Sequence, residues 1–222
     1  MKLTGKVALV TGAGQGIGQA IAILFSQEGA KVALVDWNQE TGGEALRGIE
    51  EAGGEGVFIA ADVSRSSEIK RVVDEVHHCL GRIDVLVNNA GFDRPSGIFK
   101  IEKEDWEAVQ GVHLRAAILF MKQVMPIMRE QKYGQIVNIS SIYGKVGGKG
   151  EIAYATVKAG LLGLTKSAAK EVGKYGIRVN AVLPGLTETP AIKAMMAKKY
   201  KEEILAQTPL GRMAKPEEIA KA

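Results

Sequence analysis

Short apolar runs alternate with longer segments of helical spacing along the whole chain. Val7 to Thr11 is apolar almost throughout and runs into glycines, the mark of a strand buried on both faces. Gly16 to Glu28 then sets apolar residues at helical intervals and stops at Gly29. The alternation continues with a strand over Lys31 to Asp36, a helix over Glu40 to Ala52 stopped by Gly53-Gly54, and a strand over Val57 to Ala60. A helix over Ser67 to Leu80, ended by Gly81, and a strand over Ile83 to Asn88 follow. The next helical stretch, Lys103 to Gln131, is expected to be kinked or divided by Pro126. Gln135 to Ser140 reads as a fifth strand, Ile152 to Tyr175 as a long helix and Arg178 to Leu183 as a sixth strand. Pro190 to Gln207 reads as helical, and another helix starts near Pro216.

Strands separated by helices of this length imply βαβ units and a parallel sheet, which is the α/β class. No linker, tandem repeat or low-complexity segment divides the chain, so residues 1–222 are read as a single doubly wound Rossmann-type domain with six strands. Composition changes little: 46% hydrophobic and 24% charged residues are an ordinary globular mixture. The net charge of +4 is interleaved along the chain rather than blocked, which argues against a nucleic-acid partner. Cys79 is the single cysteine, so no intramolecular disulfide forms, as suits a reducing compartment. The N-terminus carries no signal-peptide pattern, and no apolar stretch reaches the ~18 residues of a membrane span. The expected location is cytoplasmic, without a membrane partner.

The first candidate chemistry lies between the first strand and the first helix, where Thr11-Gly12-Ala13-Gly14-Gln15-Gly16-Ile17-Gly18 stands. Its spacing is G-x-x-x-G-x-G, from Gly12, Gly16 and Gly18, and not G-x-G-x-x-G, because position 17 is isoleucine. Glycines let the backbone turn tightly and approach a pyrophosphate, while the helix start offers free N–H groups. Asp36 ends the second strand, where a carboxylate accepts hydrogen bonds from a ribose diol and repels a 2′-phosphate. Position 15 is Gln15 rather than a cation, so NAD is expected over NADP. Trp37, next along, is placed to cover the adenosine edge.

The second candidate is Tyr154 with Lys158, four residues apart and so on one helix face. One ammonium at ~4 Å with an effective dielectric of ~20 lowers a tyrosine by roughly three pKa units, less whatever desolvation takes back. Such a tyrosine exchanges protons with an alcohol near neutral pH. Ser140 and Ser141 end the fifth strand, at the strand ends that carry the ligand crevice in such sheets, and either can reach a substrate oxygen held by Tyr154.

Taken in order, Thr11 to Gly18, Asp62-Val63, Asn88-Asn89-Ala90-Gly91, Ser141, Tyr154-x-x-x-Lys158 and Pro184-Gly185 through Thr189 resemble the short-chain dehydrogenase/reductase family over essentially the whole chain. The 13 residues between Ser141 and Tyr154 match that family's register and select Ser141 over Ser140. The resemblance implies an NAD-dependent oxidoreductase with Tyr154 as acid/base, Ser141 orienting the carbonyl and Lys158 also binding the nicotinamide ribose. It implies that Asp62 and Val63 flank the adenine, that Asn89, Ala90 and Gly91 support the cofactor, and that Pro184, Gly185, Thr187 and Thr189 meet the carboxamide end. Similarity to 3-oxoacyl-carrier-protein reductases and 3-hydroxyacyl-CoA dehydrogenases implies an acyl-thioester substrate; a polyol, sugar or cyclic alcohol, or a silent NAD-binding subunit, are the other readings. A homo-dimer or homo-tetramer is implied, with contacts expected near Met121 and Leu161.

The chain departs from the pattern in two places. His113, in Val112-His113-Leu114-Arg115, stands where the family often has asparagine, and is expected to keep a relay or structural role. After Pro216-Glu217-Glu218-Ile219-Ala220 the resemblance calls for a seventh strand, which the sequence as given does not include. Other residues carry blander expectations. His77-His78-Cys79 point to different sides of a helix, so no metal site is expected. Lys193, Lys198, Lys199 and Lys201 read first as a solvated helix face and second as an attractor of an anionic acyl carrier. Met121, Met125 and Met128 read as packing or a subunit face.

Overall fold

In the computed structural model the backbone is described for residues 1–195 and 198–222, and side chains for all of these except 195 and 198–200. Six strands form one parallel sheet: β1 (Val7–Thr11), β2 (Lys31–Asp36), β3 (Gly56–Ala60), β4 (Val85–Asn88), β5 (Gly134–Ile139) and β6 (Ile177–Val182), in the order β3-β2-β1-β4-β5-β6. The order runs one way from β1 and the other way from β4, so a crevice opens between their C-terminal ends. In the central strands, side chains alternate between two buried faces. Val7, Leu9, Ala33 and Val35 face one cluster, and Ala8, Val10, Val32 and Leu34 face the other.

Helices cover both faces. On the first lie α3 (Ser66–Leu80), α5 (Ala116–Gln131) and the end of α7 (Ile152–Val172), which contribute Ile69, Val72, Phe120, Val124, Met128 and Val172. On the second lie α1 (Gly16–Gln27) and α2 (Gln39–Glu51), which contribute Ile21, Ala22, Ala45 and Ile49. The strands are expected ones, displaced by a residue or two at their starts. At the floor of the sheet, Asp84 is fully buried just before β4. It accepts from the Val7 N–H at 2.9 Å and from Arg82 at 2.7 Å through both of its oxygens.

The long helix around 103–131 departs from expectation. It is broken not at Pro126 but by a π-turn, Gly111–Arg115, between α4 (Lys103–Gln110) and α5. Pro126 sits inside α5 on the solvent side, where water can satisfy the carbonyl freed by its missing N–H. The π-turn instead turns His113 inward, where it is 4% exposed. Two further findings concern packing. The Met121 and Leu161 side chains are themselves buried inside this chain, each 2% exposed, so a subunit contact near them would be made by other residues of those helix faces. A short helix, α6 (Tyr143–Val146), which periodicity does not signal, separates β5 from α7. The expected helix over 190–207 is present as α8 (Pro190–Met195) and α9 (Lys198–Ala206), with 196–197 outside the described residues; α10 (Pro216–Ala220) packs on α1. Among the described residues no helix is long and apolar enough to cross a membrane.

Candidate active site

The crevice is built by one strand end holding its neighbours. The Thr11 hydroxyl donates to the Val87 carbonyl at 3.2 Å and accepts the N–H groups of Asn89 and Ala90 at 3.0 Å. Asn89 returns the contact, its amide donating to the carbonyls of Thr11 and Gly12 at 2.9 and 3.1 Å. The glycine turn is therefore anchored to the β4 end, and Asn89 acts through that anchor.

Close approach explains the glycines. A Cβ on Gly18 would stand 2.0 Å from the Gly12 carbonyl oxygen, and one on Gly12 would stand 2.8 Å from the Ala90 Cα at a φ of +64°. Gln15 caps α1 only by backbone position, with no side-chain hydrogen bond, so the helix start beside Gly16, Ile17 and Gly18 presents its N–H groups to the crevice. Gly16 faces Thr189 across 3.2 Å from its virtual Cβ, which brings the loop after β6 to the same place. These features fit a dinucleotide pyrophosphate, with the bare amides of the helix start as its donors.

Asp36 is 9% exposed and already engaged. Its carboxylate accepts the N–H of Gly14 at 2.9 Å and of Asn38 at 3.0 Å. Trp37 beside it is 79% exposed, and Asp62 lies at the surface with its carboxylate on the Ser64 N–H at 2.9 Å, while Val63 is buried beneath. Beyond β6, the Thr187 hydroxyl donates to the Gly185 carbonyl at 3.0 Å, and the Pro184 carbonyl accepts the Ile142 N–H at 3.0 Å.

Tyr154, Lys158 and Ser141 come together at the ends of β5 and α7. Lys158, 4% exposed, donates from Nζ to the Ile139 carbonyl at 2.7 Å and lies 5.3 Å from the Tyr154 ring centre. Ser140 turns away: its hydroxyl donates to the Lys158 carbonyl at 2.7 Å. Ser141 accepts the Tyr143 N–H at 3.2 Å and also hydrogen-bonds the phenol. Asn88 donates to the Asn138 side chain at 2.8 Å, and Asn138 donates to the Thr165 hydroxyl at 2.9 Å, so a buried polar ladder fixes β4, β5 and α7 relative to one another.

The electrostatics correct one expectation. Burial pushes the Tyr154 phenol up to about 12, with the Ser141 hydrogen bond acting downward and the charges of Asp93 and Glu151 upward. Burial also pushes the Lys158 ammonium down to about 7, against an opposing pull from Asp93. A buried lysine that has itself lost much of its preference for charge does not drag the phenol down, so Tyr154 holds its proton at neutral pH.

His113 presents its ring edge-on to Tyr154, 5.5 Å between centres. Its Nε2 stands between both Phe92 backbone groups, 2.7 Å from the carbonyl and 3.1 Å from the N–H; we assign the proton to Nε2 on the shorter contact, which leaves Nδ1 as the acceptor. Burial first, then the Lys158 charge, lower His113 to about 3, so the ring is neutral. Gly91 makes room for it, since a Cβ there would stand 2.1 Å from the imidazole Cε1. A cavity of about 10 Å³ is lined by Thr11, Asn88, His113 and Lys158 among others, close to the smallest space that holds one water.

The sequence did not signal Asp93 and Glu151, which flank Tyr154. Glu151 stands three residues before Tyr154 on nearly the same helical face, and that spacing was the available clue. The other candidates stay outside the crevice. His77, His78 and Cys79 are exposed on α3, and among the described residues no group of three or more His, Cys, Asp or Glu could hold a metal ion. Lys193 and Lys201 are exposed, while the side chains of Lys198 and Lys199 lie outside the described residues.

Residues 12–222 match the family model described as enoyl-(acyl carrier protein) reductase. The chain is 44% identical over 220 residues to a 3-oxoacyl-[acyl-carrier-protein] reductase of Thermotoga maritima, covering 99% of this chain and 89% of that protein. It is 39% identical over 229 residues to a mouse (3R)-3-hydroxyacyl-CoA dehydrogenase, covering 99% and 88%. Among solved structures, levodione reductase superimposes with a TM-score of 0.95 at 34% identity, over 99% of this chain and 89% of that one.

Proposed function

The chain belongs to the short-chain dehydrogenase/reductase family and is a nicotinamide-dependent oxidoreductase acting on the CH–OH/C=O pair, and from that premise we propose that it is an NAD(H)-linked reductase of 3-oxoacyl thioesters. The observation that carries this reading is the convergence of Ser141, Tyr154 and Lys158 on a glycine turn held by Asp36. NAD(H) would be held by Gly12 to Gly18, Asp36, Asn89 to Gly91 and Pro184 to Thr189, and when bound would supply the hydride.

Tyr154, protonated at neutral pH, gives its proton to the carbonyl oxygen as that oxygen gains charge. Ser141 holds the same oxygen from the second side, since its hydroxyl is free of the backbone carbonyl that engages Ser140. Lys158, fixed by the Ile139 carbonyl 5.3 Å from the Tyr154 ring centre, contributes to binding the ribose. His113 positions the Phe92 backbone and lines the small cavity beside Lys158, a relay position for one water. Asp36 favours NAD over NADP because a 2′-phosphate would meet a buried carboxylate that has no ion-pair partner among the described residues. Association into a dimer or tetramer belongs to the same proposal, and a monomeric mass at micromolar concentration overturns that part.

The experiment is absorbance at the reduced-nicotinamide band with 3-oxoacyl-CoA and NADH or NADPH in parallel. Faster oxidation of NADH, abolished in Tyr154→Phe, is the expected result. No oxidation of either cofactor overturns the thioester reading, and a preference for NADPH overturns the role given to Asp36.

A further inference from the structure

The π-turn Gly111–Arg115 reaches the crevice in two directions. On the catalytic side it delivers His113, whose ring engages the Phe92 backbone in the loop after β4. His113 Nδ1 is, with Asp93 Oδ1 and Glu151 Oε2, one of three buried side-chain polar atoms that lack a hydrogen-bond partner among the described residues. Two residues on, Arg115 serves a different loop. Its Nη2 donates to the Ser64 carbonyl at 2.9 Å, in the turn after β3 and 51 residues away along the chain. Gly111 leaves the space that the guanidinium fills: a Cβ there would stand 2.7 Å from the Arg115 Nη2 and 3.9 Å from the Ser64 Cβ.

Ser64 is held on both sides of its peptide unit. Its N–H donates to the Asp62 carboxylate at 2.9 Å, while its carbonyl accepts from Arg115. The turn also closes on itself, with the Arg65 N–H on the Asp62 carbonyl at 3.0 Å and the Arg65 side chain 3.6 Å from the Asp62 carboxylate. Among the described residues, two hydrogen bonds fasten this turn to parts of the chain outside β3 and α3. One is Arg115 on Ser64, and the other is the Ala61 N–H on the Asp36 carbonyl at 2.9 Å. The second runs straight to Asp36, the carboxylate expected on the ribose diol, so Asp62 and Val63 stand at the adenosine end of the crevice. Arg115 has no ion-pair partner among the described residues, and a charged donor makes a stronger bond to a carbonyl than a neutral one.

We propose that Arg115 is a positioning residue for the adenine end of the cofactor: it holds the Ser64 carbonyl, and through Ser64 the Asp62–Val63 turn, where the base is received. The proposal rests on the dinucleotide-binding reading above and needs neither the thioester nor the preference for NAD. The guanidinium acts by keeping the turn ordered before the cofactor arrives. A turn cut loose from Arg115 has to be ordered by the cofactor itself, and that ordering subtracts from binding. The loss falls on the adenosine half alone, because the contact of His113 with Phe92 does not pass through Ser64.

The test is Arg115→Met in the whole protein, which removes the donors and leaves an apolar side chain at an exposed position. Calorimetric titrations with ADP-ribose and with NADH should both show affinity about tenfold weaker, the worth of one charge-assisted hydrogen bond, and weaker by the same factor. The kcat at saturating NADH should not fall. Adding Gly111→Ala to Arg115→Met should weaken ADP-ribose no further, because the group that its Cβ would crowd is gone. An unchanged affinity for ADP-ribose overturns the proposal and leaves Arg115 a fastening of the fold. A larger loss on NADH than on ADP-ribose, a fall in kcat, or a further loss in the double variant also overturns it, because each places the damage in the π-turn itself. A wild type that binds neither ligand overturns the dinucleotide reading and this proposal with it. A wild type that prefers NADPH, or that reduces no 3-oxoacyl compound, refutes the role of Asp36 or the thioester reading alone, and the ADP-ribose titration still decides Arg115.

Discussion

Protonating His113 should unfold this protein in a pH window set by burial. The ring is held at about 3 in the native state against an ordinary 6.5, because burial and the Lys158 charge both oppose the imidazolium. Between those values the unfolded chain binds a proton that the native state refuses. Stability therefore rises with pH across the window and is lost as pH falls from 6.5 toward 3. At pH 4.5 the loss has run for about two units, or roughly 2.7 kcal/mol at 1.36 kcal/mol per unit, a large share of an ordinary folding free energy. The comparison is His113→Gln, which cannot take up the proton. Urea unfolding of both proteins at pH 7 and pH 4.5 gives four free energies. The variant loses stability at both pH values through imperfect packing, but that cost cancels in the difference between them. The wild type should lose about 2–3 kcal/mol more than the variant on acidification. Parallel losses would refute the reasoning, because they would mean that the native imidazole ionises as freely as the unfolded one.

Further outcomes follow from the same geometry. Gly18→Ala should abolish NADH binding in a fluorescence titration, because its Cβ would stand 2.0 Å from the Gly12 carbonyl oxygen and force α1 off the turn. Gly91→Ala should lower the midpoint of thermal unfolding, and His113→Ala in the same chain should recover part of that loss, since the clash is with the imidazole at 2.1 Å. For Asp84, burial alone would raise the carboxyl, but the Arg82 hydrogen bonds, the Val7 N–H and the charges of Arg82 and Lys6 win and lower it. Asp84→Ala should cost about 3 kcal/mol in urea unfolding by orphaning the Val7 N–H and two cations. Asp36→Asn should lower kcat/KM for NADH more than for NADPH, shifting the ratio by about tenfold.

The order in which elements occur was legible because a both-sides-buried strand and an amphipathic helix differ in period, and the chain alternates them cleanly. The site was legible where its parts are neighbours in sequence. Tyr154 and Lys158 share one helix face, and the glycines share one turn. What escaped depended on burial or on distant closure. Pro126 looked like the break in the long helix, but its solvent-facing position lets the helix pass, and the irregularity sits at His113 instead. That the Met121 and Leu161 side chains themselves belong to the core was not legible either, because a sequence does not show which apolar stripe the core has taken. Tyr154 looked acidified by Lys158, whereas burial of both groups reverses the direction. Asp93 and Glu151 both come to Tyr154 because the loop after β4 is tied to the start of α7 through the Ser96 N–H and the Gly150 carbonyl, a closure that no local pattern announces.

The clustering of unpartnered polar atoms around Tyr154 has a consequence for anyone who wishes to harden this protein against heat. Among the described residues no other buried side-chain nitrogen or oxygen lacks a hydrogen-bond partner, so substitutions at the remaining buried polar groups have little left to improve. The cheapest gains lie at positions 93 and 151, where an apolar or amide side chain would relieve a buried acceptor that has nothing to accept. A selection for thermal survival alone should therefore drift toward changes at those two places, and the survivors should be sturdier and slower enzymes. A selection that also demands turnover should leave them untouched and collect its changes on the outer helices.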